Sequence, residues 1–176
     1  VVEGGGLMHA EAHAFVRQAL AELPVPRTVV ELGGLDFNGS IRDLFSATAY
    51  CSVDLVAGKS VDVVADAAEF TPPESPDMVV CCEVLEHSPR ADQIVRNAIR
   101  MLAPGGALLV TCATEPRAAH SAVDGNALRS GEWYQNVAVD AFRGWLDGVQ
   151  VRQLEVLPRG DLHCLAVKPG LEARKP

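Results

Sequence analysis

No apolar run in these 176 residues approaches the roughly 20 needed to cross a bilayer, and no leader-like pattern precedes a cleavage site. A membrane partner is therefore not expected, and a cytoplasmic setting is. Basic residues are in short supply. Fifteen Lys and Arg stand against 23 Asp and Glu, and the net charge is −8. The acids are spread along the chain, not gathered in a tail. That argues against a duplex nucleic-acid partner, which leaves a basic footprint on the protein that binds it. The five cysteines include no C-x-x-C pair. Cys51, Cys81, Cys82, Cys112 and Cys164 lie mostly in apolar, strand-like runs and read as reduced core residues. No His or Cys set has zinc-ligand spacing, so no metal is expected. His9 and His13 are four apart, and read as solvated polar residues of a helix. Internal repeats and low-complexity tracts are absent.

Two phosphate-binding signatures are missing as well. No G-x-G-x-x-G follows a strand, and no Walker lysine is present. The first predicted strand runs instead into Val29-Val30-Glu31-Leu32-Gly33-Gly34-Leu35-Asp36-Phe37-Asn38-Gly39-Ser40. An apolar run ends at a carboxylate, and small residues follow. In an open α/β sheet, that edge is where ligands bind. Gly33 and Gly34 let a ligand or another backbone approach closely. Asn38-Gly39 is a turn signal, and Ser40 suits an N-cap for the 41–45 turn of helix. A carboxylate at Glu31 repels phosphate but suits an ammonium or a hydroxyl. The strand end fits a nucleoside that carries a cationic amino group, and S-adenosyl-L-methionine has both.

Along the chain, residues 9–23 place Ala10, Ala14, Phe15, Ala19 and Leu20 at helical spacing and stop before Pro24-Val25-Pro26. Strands are predicted at 27–32, 49–55, 61–65, 77–83 and 107–112. The third follows the second too closely for a helical crossover, so it is either a stub on a tight loop or no strand. Residues 91–102 repeat apolar side chains at Ile94, Val95, Ala98, Ile99 and Leu102 and form a helix, ended by Pro104-Gly105-Gly106. Residues 139–146 form another helix. Strands at 149–157 and 161–167 flank Pro158-Arg159-Gly160, a hairpin signal. The tail from Lys168 is polar and expected to fray. The fold class is α/β, a doubly wound and mostly parallel sheet closed by a C-terminal antiparallel hairpin, in one domain over 1–176. Residues 1–7 are expected to be disordered or cloning-derived.

The sequence resembles a class I S-adenosylmethionine-dependent methyltransferase, close to the small type 11 group. The resemblance covers roughly 29–112. It rests on Val-Val-Glu-Leu-Gly-Gly at strand one, Val53-Asp54, Asp66-Ala67, Val84-Leu85-Glu86-His87, and Leu102-Ala103-Pro104-Gly105-Gly106 before strand five. Leu35 and Phe37 depart from it, because the usual first motif, D-x-G-x-G-x-G, keeps small residues at those points.

The resemblance implies a cofactor site and an acceptor site. Asp54, with Leu55 beside it, would accept hydrogen bonds from the ribose hydroxyls; it follows Glu31 by about 20 residues, as a ribose acid should. Asp66 would accept from the adenine amino group, and Ala67 would give a backbone N–H to the ring. Glu31, Gly33 and Gly34 would face the methionine moiety, with Asn38 closing over it. Cys82 and Glu83 would follow the cofactor along strand four. Each acid taken singly is as good a turn or cap residue as a ligand. His87 is the first candidate base, or else a loop histidine bonded to backbone. The loop over 113–137 supplies His120, Asp124, Trp133 and Tyr134 to an acceptor pocket, or is a surface Ω-loop. Arg117 and Arg129 either bind an anionic acceptor or balance nearby acids.

The implied activity is methyl transfer to a small-molecule acceptor, at O or N ahead of C. The chain has no large inserted cap. The 113–137 loop must therefore enclose the acceptor, or a second subunit of a homodimer must. Base methylation lacks its Asp/Asn-Pro-Pro-Tyr/Phe signature, since Glu83-Val84-Leu85-Glu86 stands there. Three alternatives remain open: a cofactor-binding protein without turnover, an enzyme that cleaves S-adenosylmethionine or transfers its aminopropyl group, and a nicotinamide-dependent dehydrogenase.

Overall fold

The computed structural model describes residues 7–37, 39–45 and 49–170, with side chains from residue 10 onward. Seven strands form one sheet: β1 (Thr28–Leu32), β2 (Ala49–Asp54), β3 (Val63–Val64), β4 (Met78–Cys82), β5 (Ala107–Ala113), β6 (Gln150–Val156) and β7 (Asp161–Val167). Their spatial order is β3-β2-β1-β4-β5-β7-β6. Neighbours from β3 to β5 pair in parallel, and β7 runs antiparallel to both β5 and β6. The chain reverses direction of travel across the sheet between β1 and β4, which opens a crevice at their carboxyl ends.

Each face of the sheet has its own cover. Helix α1 (Leu7–Glu22) lays Phe15, Val16 and Ala19 against Val29, Met78, Val80, Leu109 and Leu165. Helices α2 (Ala91–Met101) and α3 (Val139–Trp145) pack on the opposite face, over Val30, Val79, Leu108, Val110 and Leu162. Burial on both faces explains why β4 and β5 are apolar almost throughout. Phe142 anchors α3 with no exposed surface, and its ring meets that of Trp145 at 5.9 Å.

The predicted helix face on α1 is right at Phe15, Ala19 and Leu20 and wrong at Ala10 and Ala14. Ala10 and Ala14 are exposed, and the buried stripe is Ala12, Phe15, Val16 and Ala19. Alanine carries too little area to orient a helix, so Phe15 and Val16 decide. The doubtful third strand exists as a two-residue stub. Its approach is short because Asp62 bridges back to β2: its carboxylate accepts from the Ser52 amide at 2.9 Å and pairs with Arg42.

The turn of helix expected after Ser40 is a 3₁₀ turn over Arg42–Phe45, and Ser40 Oγ accepts the Arg42 amide at 3.1 Å. The tail does not fray at its start. Lys168 Nζ donates to the carbonyls of Ile99, Arg100 and Leu102 at 3.0, 3.1 and 2.7 Å, capping the carboxyl end of α2. All five cysteines are free thiols. Among the described residues, no helix is long and apolar enough to cross a membrane.

Candidate active site

Register alignment brings the strand ends together. Leu32 pairs with Val53, and Asp54 with Val64, so Gly33, Asp54, Ala65 and Cys82 emerge at one edge. The Gly33 amide donates to Val53 O at 2.8 Å and the Gly34 amide to the same oxygen at 3.2 Å, folding the first loop over β2. Gly33 has φ +81°, and a Cβ there would lie 2.1 Å from Val84 Cγ2. A Cβ on Gly34 would lie 1.9 Å from Ser52 Oγ and 2.6 Å from Glu31 Oε2. Both positions exclude side chains, for different reasons.

A cavity of about 980 Å³ opens at this edge. Its floor includes Gly33, Asp54, Ala67, Cys82 and Glu83; its far wall is the 117–127 part of the loop after β5. Asp54 accepts the Leu35 amide through one carboxylate oxygen at 3.2 Å and the Val56 amide through the other at 3.1 Å. Each oxygen keeps a further lone pair for a ligand. Asp66 accepts the Ala68 amide at 2.8 Å and also pairs with Arg90 at 2.5 Å. Both acids are thus turn residues and cavity residues at once.

Several predicted residues sit elsewhere. Glu31 does not line the cavity. It lies beneath Gly34, 6% exposed, with Oε2 unpartnered. Burial raises its pKa against the pull of the Tyr50 and Ser52 hydroxyls, neither of which closes a full hydrogen bond to it. Asn38 lies outside the described residues. Arg117 and Arg129 are spoken for, by Asp161 and Asp124. Leu55 lines the cavity mouth, as do Leu35 and Phe37, which fill the positions where small residues were expected.

The acceptor-side candidates converge. His87, His120 and Tyr134 form a three-ring cluster with centroid separations of 5.0, 5.4 and 4.9 Å. His87 and His120 line the cavity, whereas Tyr134 backs them and donates its hydroxyl to Asn136 Oδ1 at 2.8 Å. Burial pushes the His87 imidazole down to about 4 and also lowers that of His120, so both rings are neutral near pH 7. Burial pushes Glu83 up to about 7, against a hydrogen bond from Thr111 Oγ1 at 2.8 Å. Glu86 has no exposed surface, and burial raises its pKa well above the usual range.

Sequence reasoning missed Arg90, whose guanidinium reaches Asp66 across 24 positions, and the meeting of Glu86 with His87 and His120. Glu86-His87 was visible as a pair. Nothing in its spacing shows that a histidine 33 residues on would fold back against it.

A family model described as a methyltransferase domain matches residues 14–108, more than half of the chain. The chain belongs to the methyltransferase domain family. That family takes its methyl group from S-adenosyl-L-methionine. Solved methyltransferases share the fold. The N-methyltransferase NodS from Bradyrhizobium japonicum WM9, in complex with S-adenosyl-L-homocysteine, is 16% identical, with a TM-score of 0.65 over 93% of this chain and 89% of that one. The 1,6-didemethyltoxoflavin N1-methyltransferase of Burkholderia thailandensis, with that substrate and S-adenosylhomocysteine bound, is 15% identical, with a TM-score of 0.65 over 93% and 79%. A Mesorhizobium loti S-adenosylmethionine-dependent methyltransferase is 16% identical, with a TM-score of 0.63 over 92% and 100%. No curated protein is matched by this sequence. The methyltransferase fold, with β7 reversed at the C-terminal end, is the predicted one.

Proposed function

We propose that this methyltransferase modifies an oxygen or nitrogen of a small molecule held between the cofactor end of the cavity and the His87–His120 wall. The observation that carries the reading is the cavity's division. Carboxylates at the ends of β2 and β3 line one part, and two neutral imidazoles line another.

The residues present fit S-adenosyl-L-methionine. Asp54 has a spare lone pair on each oxygen for the ribose diol, and the bare backbone at Gly33 and Gly34 allows close approach of the methionine part. Asp66 and Ala67 are the adenine-side residues, and Arg90 must share or yield Asp66 there. Cys82 and Glu83 flank the centre, and Glu83 keeps a buried Oε2 without a partner. Glu31 supports the Gly34 turn from below, and Asn38 keeps the methionine-side role that the resemblance implies.

Bound cofactor supplies an already activated methyl group, so the protein's task is in-line positioning of the acceptor and care of its proton. Neutral His87, half-buried, and neutral His120, buried, hold the acceptor heteroatom or receive its proton, and Tyr134 keeps their rings in place. The 113–137 loop excludes water. It is stitched down by Gln135 N to Glu86 O and Val137 N to Ala113 O, both at 2.8 Å. The neighbour with 1,6-didemethyltoxoflavin bound supports a small acceptor, and the net charge of −8 gives no support to a polynucleotide. A cytoplasmic setting agrees with the free cysteines.

Calorimetric titration with S-adenosylhomocysteine, with NAD as control, tests the cofactor assignment. Binding of the first alone, weakened at least tenfold in a folded Asp54→Ala protein, supports the site. Unchanged affinity in that variant overturns the role of Asp54. Turnover in an acceptor screen then separates methyl transfer from binding without chemistry.

A further inference from the structure

Three donor atoms behind the acceptor wall have no use in the fold. Glu86 Oε2, His87 Nδ1 and His120 Nε2 are all buried without a hydrogen-bond partner. They belong to one cluster, in which the ligating atoms of the three residues lie within 4.8 Å of one another. A buried polar atom left unpaired costs free energy, and three on residues of one cluster is not what a purely structural clamp would keep.

The rest of each side chain is already anchored. His120 Nδ1 lies 3.1 Å from Ala118 O, a contact that requires Nδ1 to carry the proton and leaves the lone pair on Nε2. Glu86 Oε1 accepts the Ala113 amide at 3.1 Å, which frees Oε2. His87 interacts with the Trp133 backbone, and its Nδ1 remains free. Tyr134 braces both rings edge-on. Such outer contacts are how proteins orient metal ligands before the metal arrives.

We propose that Glu86, His87 and His120 bind a divalent first-row transition-metal ion. Two imidazole nitrogens and one carboxylate oxygen suit zinc, cobalt, iron(II) or manganese, rather than calcium, which prefers oxygens alone. Tetrahedral zinc with bonds of about 2.0–2.1 Å holds its ligands roughly 3.3 Å apart, so the cluster closes by at most about an ångström and a half on binding. The nearby cation Arg117 is paired with Asp161, and an ion bound here would take Glu86 as its carboxylate, releasing the proton that burial holds on it. Because His87 and His120 line the cavity, the open coordination position faces the acceptor. This deepens the reading above, on which it rests for the role of the ion but not for its binding. The ion would hold an oxygen or nitrogen of the acceptor where the two imidazoles alone would hold it loosely.

The test uses metal-stripped protein of the full chain and zinc or cobalt alone, with no cofactor or acceptor. One ion per chain at micromolar affinity is expected. The affinity should fall at least tenfold in His120→Ala and in His87→Ala, each checked for folding by circular dichroism. Nitrogen NMR of the wild-type chain should show zinc shifting the ring resonances of His87 and His120 among its five histidines. That measurement decides the matter if the variants fail to fold. The proposal is overturned by wild-type protein that binds no ion, by affinity unchanged in both folded variants, or by a cobalt spectrum dominated by thiolate charge transfer, which would put the ion on cysteine. S-adenosylhomocysteine binding is read separately, so failure here leaves the cofactor assignment standing, and the reverse holds too.

Discussion

Gly34 shows how narrow the first loop is. A methyl group there meets Ser52 Oγ at 1.9 Å and Glu31 Oε2 at 2.6 Å, and both neighbours are buried in β-strands that cannot shift freely. Gly34→Ala is expected to destabilise the protein by about 1–3 kcal/mol, the usual cost of overpacking. Adding Ser52→Ala removes the nearer obstacle and should recover part of that loss, because Ser52 Oγ has no partner to lose. Chemical denaturation of the single and double variants checks this; equal stability of Gly34→Ala and the parent would mean the loop has slack. Residues whose role follows from local chemistry were legible in the sequence. Gly33 and Gly34 were read as sites of close approach, and Asp54 and Asp66 as acids at strand ends. Glu31 was legible only as an acid at a strand end. Which side of the Gly34 turn its carboxylate occupies depends on Tyr50 and Ser52, contributed by a neighbouring strand.

At the scale of elements, the carboxyl end of α2 depends on a side chain more than 60 residues away. Lys168 Nζ reaches three of its last carbonyls, where a cation also meets the negative end of the helix dipole. Lys168→Met keeps the stem and removes the charge. It should cost roughly 1 kcal/mol, or about 2–4 °C in Tm for a chain of this size. A thermal melt checks it, and a Tm within half a degree of the parent would show that solvent satisfies those carbonyls as well. Such a long-range cap cannot be read from a polar tail, which is why fraying was expected there. By contrast α2 itself was legible, because Ile94, Val95, Ala98 and Ile99 repeat at a helical period with area enough to set the face. The α1 face was misread at Ala10 and Ala14, though not at Ala19. The stub β3 was legible only as a doubt, since its ladder with β2 is two residues long and Asp62 and Arg42 add side-chain ties that spacing does not show.

For the whole molecule, the fold was legible because strand and helix periods alternate over most of the chain; the 113–137 loop was read as the acceptor side, but the packing of His120 against Glu86-His87 was not legible, because it depends on that loop returning to the end of β4. The same burial that builds the site sets how stability varies with pH. Glu83 is held up to about 7 and Glu31 is raised as well, both chiefly by desolvation. An unfolded chain releases those protons near pH 4.5, while the folded one keeps them. The folded state is therefore progressively penalised as pH rises from about 4.5 through 7. His163, buried beside the Phe15 ring, has its pKa lowered, again by desolvation. Its neutral form is favoured in the fold, so its contribution is present above about 6.5 and is lost as pH falls below that value. Between pH 4.5 and 6.5 the two trends oppose each other. Above 6.5 only the acids act. The metal-free protein should lose Tm as pH rises from 6.5 to about 7, and Glu83→Gln should remove that residue's penalty over the whole span from about 4.5 to 7 while leaving the profile below 4.5 unchanged. A Tm that rises over the same interval, in parent and variant alike, would mean that Glu83 is ionised in the fold. The site would then present a fixed negative charge beside Cys82 instead of a neutral acid able to donate a hydrogen bond.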